Sequence, residues 1–311
     1  MMKLHTLYYS ATGTARLLAL EMADGLLTAG EQAGCAGRTG KLPFERGQEL
    51  DLLRHPPQQE LGFKHDDLLI LTSPVYSGRM PAPLQARLDK LRGERTPAII
   101  AMTYGDRAYD DALLELADRL EERGFIVIGA GAFVARHAVF PRYAVGRPDE
   151  SDLAVLRSLA FRSAAKLPEK GDVTENPGSQ APLPETVPKT GERTVERRAE
   201  TAEPVSPLSV RQSIKGKRPY MKPQELPIYP RPDSRCVGCG TCVRVCPVQA
   251  IDPAAIRARP AKHCLACAAC IHACPQKSRK FRGLFYNGLD ILFLGLSKLS
   301  KSTRKEPEIF V

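Results

Sequence analysis

Residues 4–27 have the sequence LHTLYYSATGTARLLALEMADGLL, and this stretch decides how the N-terminal half is organised. An apolar run of strand length, Leu4–Ser10, leads through a short loop into a helical pattern at Thr14–Leu27. The loop is rich in hydroxyl side chains and contains a glycine, and the N–H groups at the start of a helix attract anions. The stretch therefore predicts a strand, an anion-binding loop and a helix in direct succession.

Further apolar runs alternate with helical patterns after this stretch. The apolar runs are Asp67–Pro74, Pro97–Gly105 and Phe125–Ala135, and the helical patterns are Ala82–Arg92, Asp110–Gly124 and Asp149–Leu167. Buried strands that alternate with helices indicate a parallel sheet covered on both faces. We therefore predict an α/β domain with a doubly wound, five-stranded parallel sheet, whose second and weakest strand falls near residues 31–40.

The composition changes along the chain. Residues 1–166 carry 21 basic and 21 acidic side chains, whereas residues 231–311 carry 14 basic and 5 acidic ones, so most of the net charge of +10 belongs to the C-terminal part. Residues 167–230 are rich in Pro, Glu, Thr, Arg and Ser and lack apolar periodicity, which is typical of a disordered linker. We predict an N-terminal domain at 1–166, a linker at 167–230, a cysteine-rich domain at 231–283 and a basic amphipathic tail at 284–311.

Eight of the nine cysteines form two motifs of identical spacing. The first lies in RCVGCGTCVRVCP at 235–247, the second follows 28 residues later, and each ends in Cys-Pro. The cysteines are Cys236, Cys239, Cys242 and Cys246, followed by Cys264, Cys267, Cys270 and Cys274. Three cysteines at three-residue intervals let one loop offer three thiolates to a cube-shaped cluster, whereas zinc needs only two CxxC pairs. The repeat indicates two [4Fe–4S] clusters in a reducing compartment, with zinc sites as the alternative.

This part of the chain resembles the bacterial two-cluster ferredoxins over about 50 residues. In such paired sites the fourth cysteine of each motif ligates the other cluster. The expected ligand sets are Cys236, Cys239, Cys242 and Cys274 for the first cluster, and Cys264, Cys267, Cys270 and Cys246 for the second. After the second motif the sequence PQKSRKFR departs from these ferredoxins, so we expect the strand there to be short or displaced.

The loop at residues 10–16, SATGTAR, lies where a parallel sheet of this kind binds ligands, beyond the carboxyl end of a strand. It lacks both the lysine of a P-loop and the GxGxxG pattern of dinucleotide sites, which favours a monophosphate held by neutral donors. The loop resembles the [ST]-x-T-G-x-T loop of flavodoxins, which binds the phosphate of FMN. Ala15 stands where flavodoxins have a second threonine, and we expect Thr14 or Arg16 to compensate. The resemblance implies phosphate contacts from Ser10, Thr12, Gly13, Thr14 and Ala15.

Two further loops, at residues 73–81 and 103–111, follow the third and fourth predicted strands. Flavodoxins hold the flavin ring between the corresponding loops, with an aromatic side chain on one or both faces. Because the chain contains no tryptophan, the resemblance implies that Tyr76 and Tyr104 stack on the ring. Neighbouring backbone groups would meet the ring edge and tune the flavin. The expected contacts are Pro74, Val75, Tyr76, Ser77, Gly78, Thr103, Tyr104, Gly105 and Asp106.

The combination resembles a bacterial family in which a flavodoxin-like domain precedes a two-cluster ferredoxin domain on one chain. It implies electron transfer between two [4Fe–4S] clusters and FMN, serving a redox partner protein with an acidic docking surface. A flavin-dependent reductase of a small substrate and an iron–sulfur redox sensor are the alternatives. The catalytic residues of such a reductase are not identifiable.

No nucleic-acid recognition fold is visible, and the N-terminus shows no export signal, so we expect a cytoplasmic protein. The tail is expected to pack on one of the two domains or, as an alternative, to make a peripheral membrane contact.

Overall fold

The computed structural model describes residues 1–32, 44–167, 208–223, 227–299 and 304–311. The elements of the N-terminal half are β1 (Met2–Tyr8), α1 (Thr14–Gln32), β2 (Phe44–Asp51), β3 (Leu61–Phe63), β4 (Asp67–Pro74), α2 (Ala82–Leu88), β5 (Leu91–Gly93), β6 (Thr96–Tyr104), α3 (Ala112–Glu122), β7 (Phe125–Val134) and α4 (Glu150–Ala164). The C-terminal part contains β8 (Pro230–Arg231), α5 (Thr241–Arg244), α6 (Ala269–His272), β9 (Lys280–Phe281), α7 (Leu284–Leu299) and β10 (Glu308–Phe310).

A six-stranded sheet with the order β10-β7-β6-β4-β1-β2 forms the centre of the N-terminal domain. Five strands are parallel, and β10 runs antiparallel to β7 at the edge. Numbered along the chain, the parallel strands have the spatial order 2-1-3-4-5, which is the order of the flavodoxin-like fold. The predicted doubly wound, five-stranded parallel sheet is confirmed, with a sixth, antiparallel strand in addition.

The two faces of the sheet are covered by different helices, which explains the continuous apolar runs. Along β4, Leu68 and Ile70 pack with α1 and α4, whereas Leu69 and Leu71 pack on the opposite face with α2 and α3. Successive side chains of a strand point to opposite faces, so a strand with helices on both sides must be apolar at every position. β3 and β5 form a separate two-stranded parallel sheet.

The second strand was expected too early in the sequence. β2 occupies Phe44–Asp51, whereas the weak prediction pointed to residues 31–40, of which 33–40 lie outside the described residues. β2 is an edge strand, and only Asp51 among its residues is buried. Because it needs no apolar run, its sequence FERGQELD carries almost no strand signal.

The prediction of a disordered linker over 167–230 is wrong for residues 208–223. The N–H of Val210 donates to the carbonyl oxygen of Val127 at 2.8 Å, and Val210 and Ile214 are each only 6% exposed. A 3₁₀ turn at Arg211–Ser213 follows, and Arg218 and Tyr220 both donate to the buried carboxylate of Asp118 on α3. A few apolar side chains and charged contacts hold this segment on the N-terminal domain. The average composition of residues 167–230 does not reveal so few contacts. Residues 168–207 lie outside the described residues.

The C-terminal tail is more than an amphipathic helix. α7 packs on the loop after β7, where the ring centroid of Phe293 lies 5.0 Å from that of Phe140. The chain then returns to the N-terminal domain, where β10 pairs with Gly131 and its neighbours in β7. Three residues are too few for a periodic pattern, so the sequence did not predict this strand.

The cysteine-rich domain is small and α+β. One helical turn contains the third cysteine of each motif, Cys242 in α5 and Cys270 in α6, and β8 pairs antiparallel with β9 through only two residues each. The short strand expected after the second motif is therefore confirmed. None of the helices in the described ranges combines the length and hydropathy that a bilayer-spanning segment requires.

Candidate functional site

The eight motif cysteines surround two cavities. The first is lined by Cys236, Cys239, Cys242 and Cys274, and the second by Cys246, Cys264, Cys267 and Cys270. Each cavity encloses about 330 Å³ of non-protein space, part of it open to solvent. Each therefore receives three cysteines from one motif and the fourth from the other, which is the arrangement expected for paired clusters.

The two motifs adopt the same backbone conformation. Gly238 and Gly240 in the first motif have φ angles of 72°, and Ala266 and Ala268, 28 residues later, have φ angles of 51° and 65°. Left-handed backbone at these positions folds each loop tightly around its cavity, and glycine adopts it without strain. In the second motif alanine adopts the same left-handed conformation, which is sterically less favourable for alanine than for glycine.

The crossing cysteines have matching hydrogen bonds. The N–H of Ala250 donates to Sγ of Cys246 at 3.2 Å, and the N–H of Ser278 donates to Sγ of Cys274 at 3.4 Å. In each case the donor lies four residues after the cysteine. Hydrogen bonds of this kind favour the thiolate form, which is the form that binds metal.

The two cysteine sets differ in exposure. Cys239 in the first set is exposed, whereas Cys267 and Cys270 in the second are 8% and 7% exposed. Burial raises the pKa of both Cys267 and Cys270 to about 12, and the contact with Thr241 lowers the pKa of Cys239. Buried thiolates need a compensating positive charge, which the iron ions of a cluster supply. The donor set, the cavities and the cross-motif arrangement fit two [4Fe–4S] clusters.

The four sulfurs of each set surround a cavity and do not converge on the position of a single metal ion. Among the described residues, no group of three or more His, Cys, Asp or Glu side chains is placed to hold a single metal ion.

The second cysteine set lies against the carboxyl edge of the parallel sheet. Cys267 and Ala269 are buried in the same hydrophobic cluster as Tyr9 and Ala11, which follow β1. Tyr76, in the loop after β4, packs against this cluster, and burial together with the nearby Cys267 raises its pKa well above the usual value. The cavity lined by the second cysteine set therefore adjoins the edge of the sheet where ligands of such sheets bind.

The loop at residues 10–16 lies at this edge and presents backbone N–H groups at the start of α1. Ser10 is 1% exposed, and its Oγ accepts from the N–H of Arg16 at 3.2 Å at the start of α1. Among the described residues, the N–H groups of residues 12–15 have no hydrogen-bond acceptor. Gly13, with a φ of 95°, has no atom within 4 Å of the position of a Cβ, so the loop is open there. These donors fit the phosphate of FMN.

One cation beside this loop, Arg54, was not predicted from the sequence. Nη1 of Arg54 lies 3.4 Å from the carbonyl oxygen of Ser10 and 2.7 Å from Oδ2 of Asp51 at the end of β2. Arg16, the residue expected to compensate for Ala15, points away, since its guanidinium contacts the hydroxyl of Tyr8 and the carboxylate of Glu49. Only the position of β2 beside β1 reveals Arg54 as the loop's basic neighbour.

The two loops expected to hold the flavin ring meet at the same edge. The N–H of Val75, next to Pro74, donates to the carbonyl oxygen of Thr103 at 2.8 Å. Ser77 and Gly78 have φ angles of 53° and 77° and form a tight turn, which mutual hydrogen bonds between Tyr76 and Arg79 close.

Both loops are covered by other parts of the chain. A Cβ at Gly105 would lie 2.5 Å from the ring of His137, and Asp106 beside it is left-handed with a φ of 62°. A Cβ at Gly78 would lie 2.6 Å from Sδ of Met221. Any ring bound here would therefore share its surroundings with residues that follow β7 and with the segment 208–223.

Tyr76 and Tyr104 have different surroundings. Tyr76 lies beside Tyr9 and Cys267, whereas Tyr104 is 6% exposed and packs edge-on against Tyr109, at 5.6 Å between ring centroids. The hydroxyl of Tyr109 in turn donates to Glu308 in β10 at 2.8 Å. Tyr104 is therefore linked to the C-terminal strand through Tyr109, whereas Tyr76 lies beside the second cysteine set.

Comparison with family models identifies both cysteine motifs. A 4Fe-4S binding domain family matches residues 232–252, and a second 4Fe-4S binding domain family matches residues 261–281. No curated protein matches the chain.

Several solved structures are similar to the N-terminal half. A flavodoxin from the domain Archaea has 14% identity and a TM-score of 0.35, covering 53% of this chain and 98% of its own. The oxidised flavodoxin 1 from Bacillus cereus has 14% identity and a TM-score of 0.34, covering 53% and 99%. An apo NADH:FMN oxidoreductase, EMOB, has 17% identity and a TM-score of 0.37, covering 55% and 92%. The fold assignment rests on the strand order and not on these superpositions. The chain thus combines a flavodoxin-like domain with a ferredoxin-type 4Fe–4S domain.

Proposed function

We propose that this chain is an electron-transfer protein that holds two [4Fe–4S] clusters and one FMN. The observation that carries the proposal is the burial of Cys267, a member of the second cysteine set, together with Tyr9 at the ligand edge of the parallel sheet. When bound, the clusters supply one-electron steps and the flavin supplies steps of one or two electrons.

The cysteines and their neighbours set the order of the sites. The second set, with Cys267 and Cys270 buried, is more shielded from solvent than the first and faces the sheet edge. The first set, with Cys239 exposed, faces solvent. This arrangement favours a path for electrons in which the first set exchanges them with an external partner. The second set exchanges them with the flavodoxin-like domain.

The N-terminal residues would hold FMN by its phosphate. The unpaired N–H groups at 12–15 and the hydroxyl groups of Thr12 and Thr14 are neutral donors, and Arg54 adds a positive charge beside Ser10. The ring would lie toward the loops at 74–78 and 103–106, next to the second cysteine set. Eight cysteines at metal-ligand spacing that line two cavities favour a cytoplasmic location for this chemistry.

The redox partner would have an acidic docking surface. The exposed side chains of Arg235, Arg244 and Arg257 border the first cysteine set. The guanidinium of Arg244 lies 3.3 Å from the carbonyl oxygen of Cys239, and that of Arg257 donates to the carbonyl oxygen of Cys236. Positive charge around the exposed site would guide an acidic partner to it and make association sensitive to salt.

Anaerobic reduction of the full-length protein tests this function. The protein is purified anaerobically, its flavin is identified after extraction, and the flavin and iron–sulfur absorbance bands are followed after mixing with a limiting amount of dithionite. We expect FMN, and redistribution of electrons at a rate independent of protein concentration, because the sites share one chain. Absence of FMN, or a rate that rises with protein concentration, would contradict the proposal. Turnover of a quinone, disulfide or nitro compound without an acceptor protein would indicate a reductase instead.

A further inference from the structure

Helix α7 has an apolar side on each of two opposite faces. The inner face packs on the loop after β7, where Tyr286 stacks on Phe140 at 5.5 Å between centroids and donates to the carbonyl oxygen of Val139 at 3.0 Å. Asp290 on the same face is 5% exposed and accepts from Arg142 at 2.9 Å. These contacts fix the orientation of the helix on the protein.

The outer face of α7 is apolar and faces solvent. Leu284 is 93% exposed, Phe285 55%, Ile291 66% and Leu292 55%. The four residues occupy two adjacent positions and the two positions seven residues later, so they lie on one side of the helix. Gly288 stands between them on the same side, with no atom within 4 Å of the position of a Cβ. This set of four side chains is called the outer face below.

Basic residues precede the helix in the chain. Lys277, Lys280 and Arg282 are exposed in the segment that leads into α7. Within the described part of the chain, neither Lys277 nor Lys280 forms an ion pair, and Arg282 lies 3.4 Å from Asp233. Residues 231–311 as a whole carry 14 basic and 5 acidic side chains.

We propose that the outer face of α7 inserts into the surface of an anionic lipid membrane and holds the protein there peripherally. A helix that presents Leu, Ile and Phe on one side, with basic residues beside them, lies in the plane of the membrane interface. The apolar side chains enter the boundary of the acyl chains, and the lysines contact the anionic headgroups. Electron transfer by the cofactor sites would then take place beside the membrane.

The size and shape of the outer face favour a lipid surface over a protein. The four side chains span nine residues of helix, about 12 Å from the first to the last, whereas a stable protein interface involves roughly 20–30 residues a side. Leu284 at 93% exposure projects from the surface and lines no groove. Interfacial membrane binding requires no complementary shape, only apolar area and positive charge.

Co-sedimentation of the full-length holoprotein with lipid vesicles tests the proposal. We expect binding to phosphatidylcholine vesicles that contain about 30% phosphatidylglycerol, weaker binding to pure phosphatidylcholine, and partial release at high salt. The double variant Leu284→Ser, Ile291→Ser should lower the partition coefficient at least tenfold while its iron content stays unchanged. The control Leu17→Ser, Val145→Ser alters side chains that are 44% and 65% exposed elsewhere and should bind like the wild type.

A tryptophan placed on the outer face gives a second readout. The chain contains no tryptophan, so Phe285→Trp introduces a single one, and its emission should shift to shorter wavelength with anionic vesicles and less with pure phosphatidylcholine. Val145→Trp should show no shift. Failure of the wild type to bind anionic vesicles would overturn the proposal, as would equal binding by the Leu284→Ser, Ile291→Ser variant. So would an outer-face-dependent dimer in light scattering, because it would assign this surface to a second copy.

Discussion

Tyr9 at the end of β1 and Cys267 in the second cysteine motif are buried in one hydrophobic cluster, although they come from the two domains of the chain. Tyr9 is fully buried and its hydroxyl has no hydrogen-bond partner among the described residues, while Cys267 is 8% exposed. A packed contact of this kind fixes the second cysteine set against the flavodoxin-like domain. The domains are therefore held by an interface and do not depend on the linker alone.

This contact predicts that iron leaves the holoprotein in two phases. Oxidation with ferricyanide in the presence of a coloured iron chelator should release about four irons quickly, from the set that contains the exposed Cys239, and about four slowly. The reason is that the other set contains Cys267 and Cys270, which are 8% and 7% exposed. Cys239→Ser should remove the fast phase. A single phase that releases all the iron would contradict the difference in protection.

Paired substitutions should show that each site draws on both motifs. Cys246 and Cys267 line the same cavity. The double variant Cys246→Ser, Cys267→Ser should therefore lose about four irons, as each single variant does. Cys246→Ser combined with Cys242→Ser affects both cavities and should lose about eight. The reverse result, with greater loss from the pair Cys246 and Cys267, would mean that each motif fills its own site. Iron and acid-labile sulfide analysis measures both outcomes.

Arg54→Ala should weaken FMN binding about tenfold, equivalent to about 1.4 kcal/mol. The guanidinium lies beside the carbonyl oxygen of Ser10, and its loss removes a positive charge from the loop proposed to hold the phosphate. Arg46→Ala is the matched control, since Arg46 lies on β2, the strand that precedes Arg54, but pairs with Asp24 at 2.9 Å. Titration of deflavinated protein with FMN, followed by flavin fluorescence, gives both dissociation constants. Equal affinities in the two variants would remove Arg54 from the site.

His137 should make the protein less stable at mildly acidic pH. Burial lowers the pKa of His137 to about 4 from an ordinary value of 6.5, and its Nδ1 accepts from the N–H groups of Val139 and Phe140. Between pH 4 and pH 6.5, His137 therefore binds a proton in the unfolded chain but stays neutral in the folded protein. The free energy of unfolding should fall by up to about 3 kcal/mol as the pH drops from 6.5 to 4, and should not depend on His137 above 6.5.

The contribution of His137 is measured by chemical denaturation at several pH values. In His137→Gln the slope of stability against pH between 4 and 6.5 should decrease by close to one proton. His55→Gln, which alters an exposed histidine, should leave the slope unchanged. An unchanged slope in His137→Gln would mean that His137 does not titrate as its burial requires.

The segment at 208–223 should depend on Asp118. Tyr220→Phe removes a hydrogen bond to this buried carboxylate, so it should lower the free energy of unfolding by about 2 kcal/mol. The variant should also speed amide hydrogen exchange in 208–223. Tyr229→Phe is the control, because the hydroxyl of Tyr229 has no hydrogen bond among the described residues and its ring packs under Arg259. Unchanged exchange in Tyr220→Phe would show that the segment is held in another way.

The fold was predictable where strands are buried on both faces. β4, β6 and β7 are apolar at nearly every position, and this pattern alone indicates central parallel strands. β2 was misplaced because an edge strand tolerates Glu45 and Arg46. β10 and the segment 208–223 are held by contacts with distant residues such as Asp118, and no local pattern records such contacts.

The candidate site was predictable to a similar degree. The repeated cysteine spacing indicates two cube-shaped clusters, and the resemblance to two-cluster ferredoxins implies that the fourth cysteine of each motif belongs to the other cluster. Arg54 and the surroundings of Tyr104 were not predictable. The first depends on the position of β2 beside β1, and the second on a strand at the far end of the chain. Neither relationship has a signature within a short stretch of sequence.

Metal and sulfide analysis of the anaerobically purified protein tests the central claim most directly. The account predicts about eight irons and eight acid-labile sulfides per chain, with no stoichiometric zinc. One or two zinc ions per chain without labile sulfide would contradict it, since the two cysteine sets would then be zinc sites and could not carry electrons.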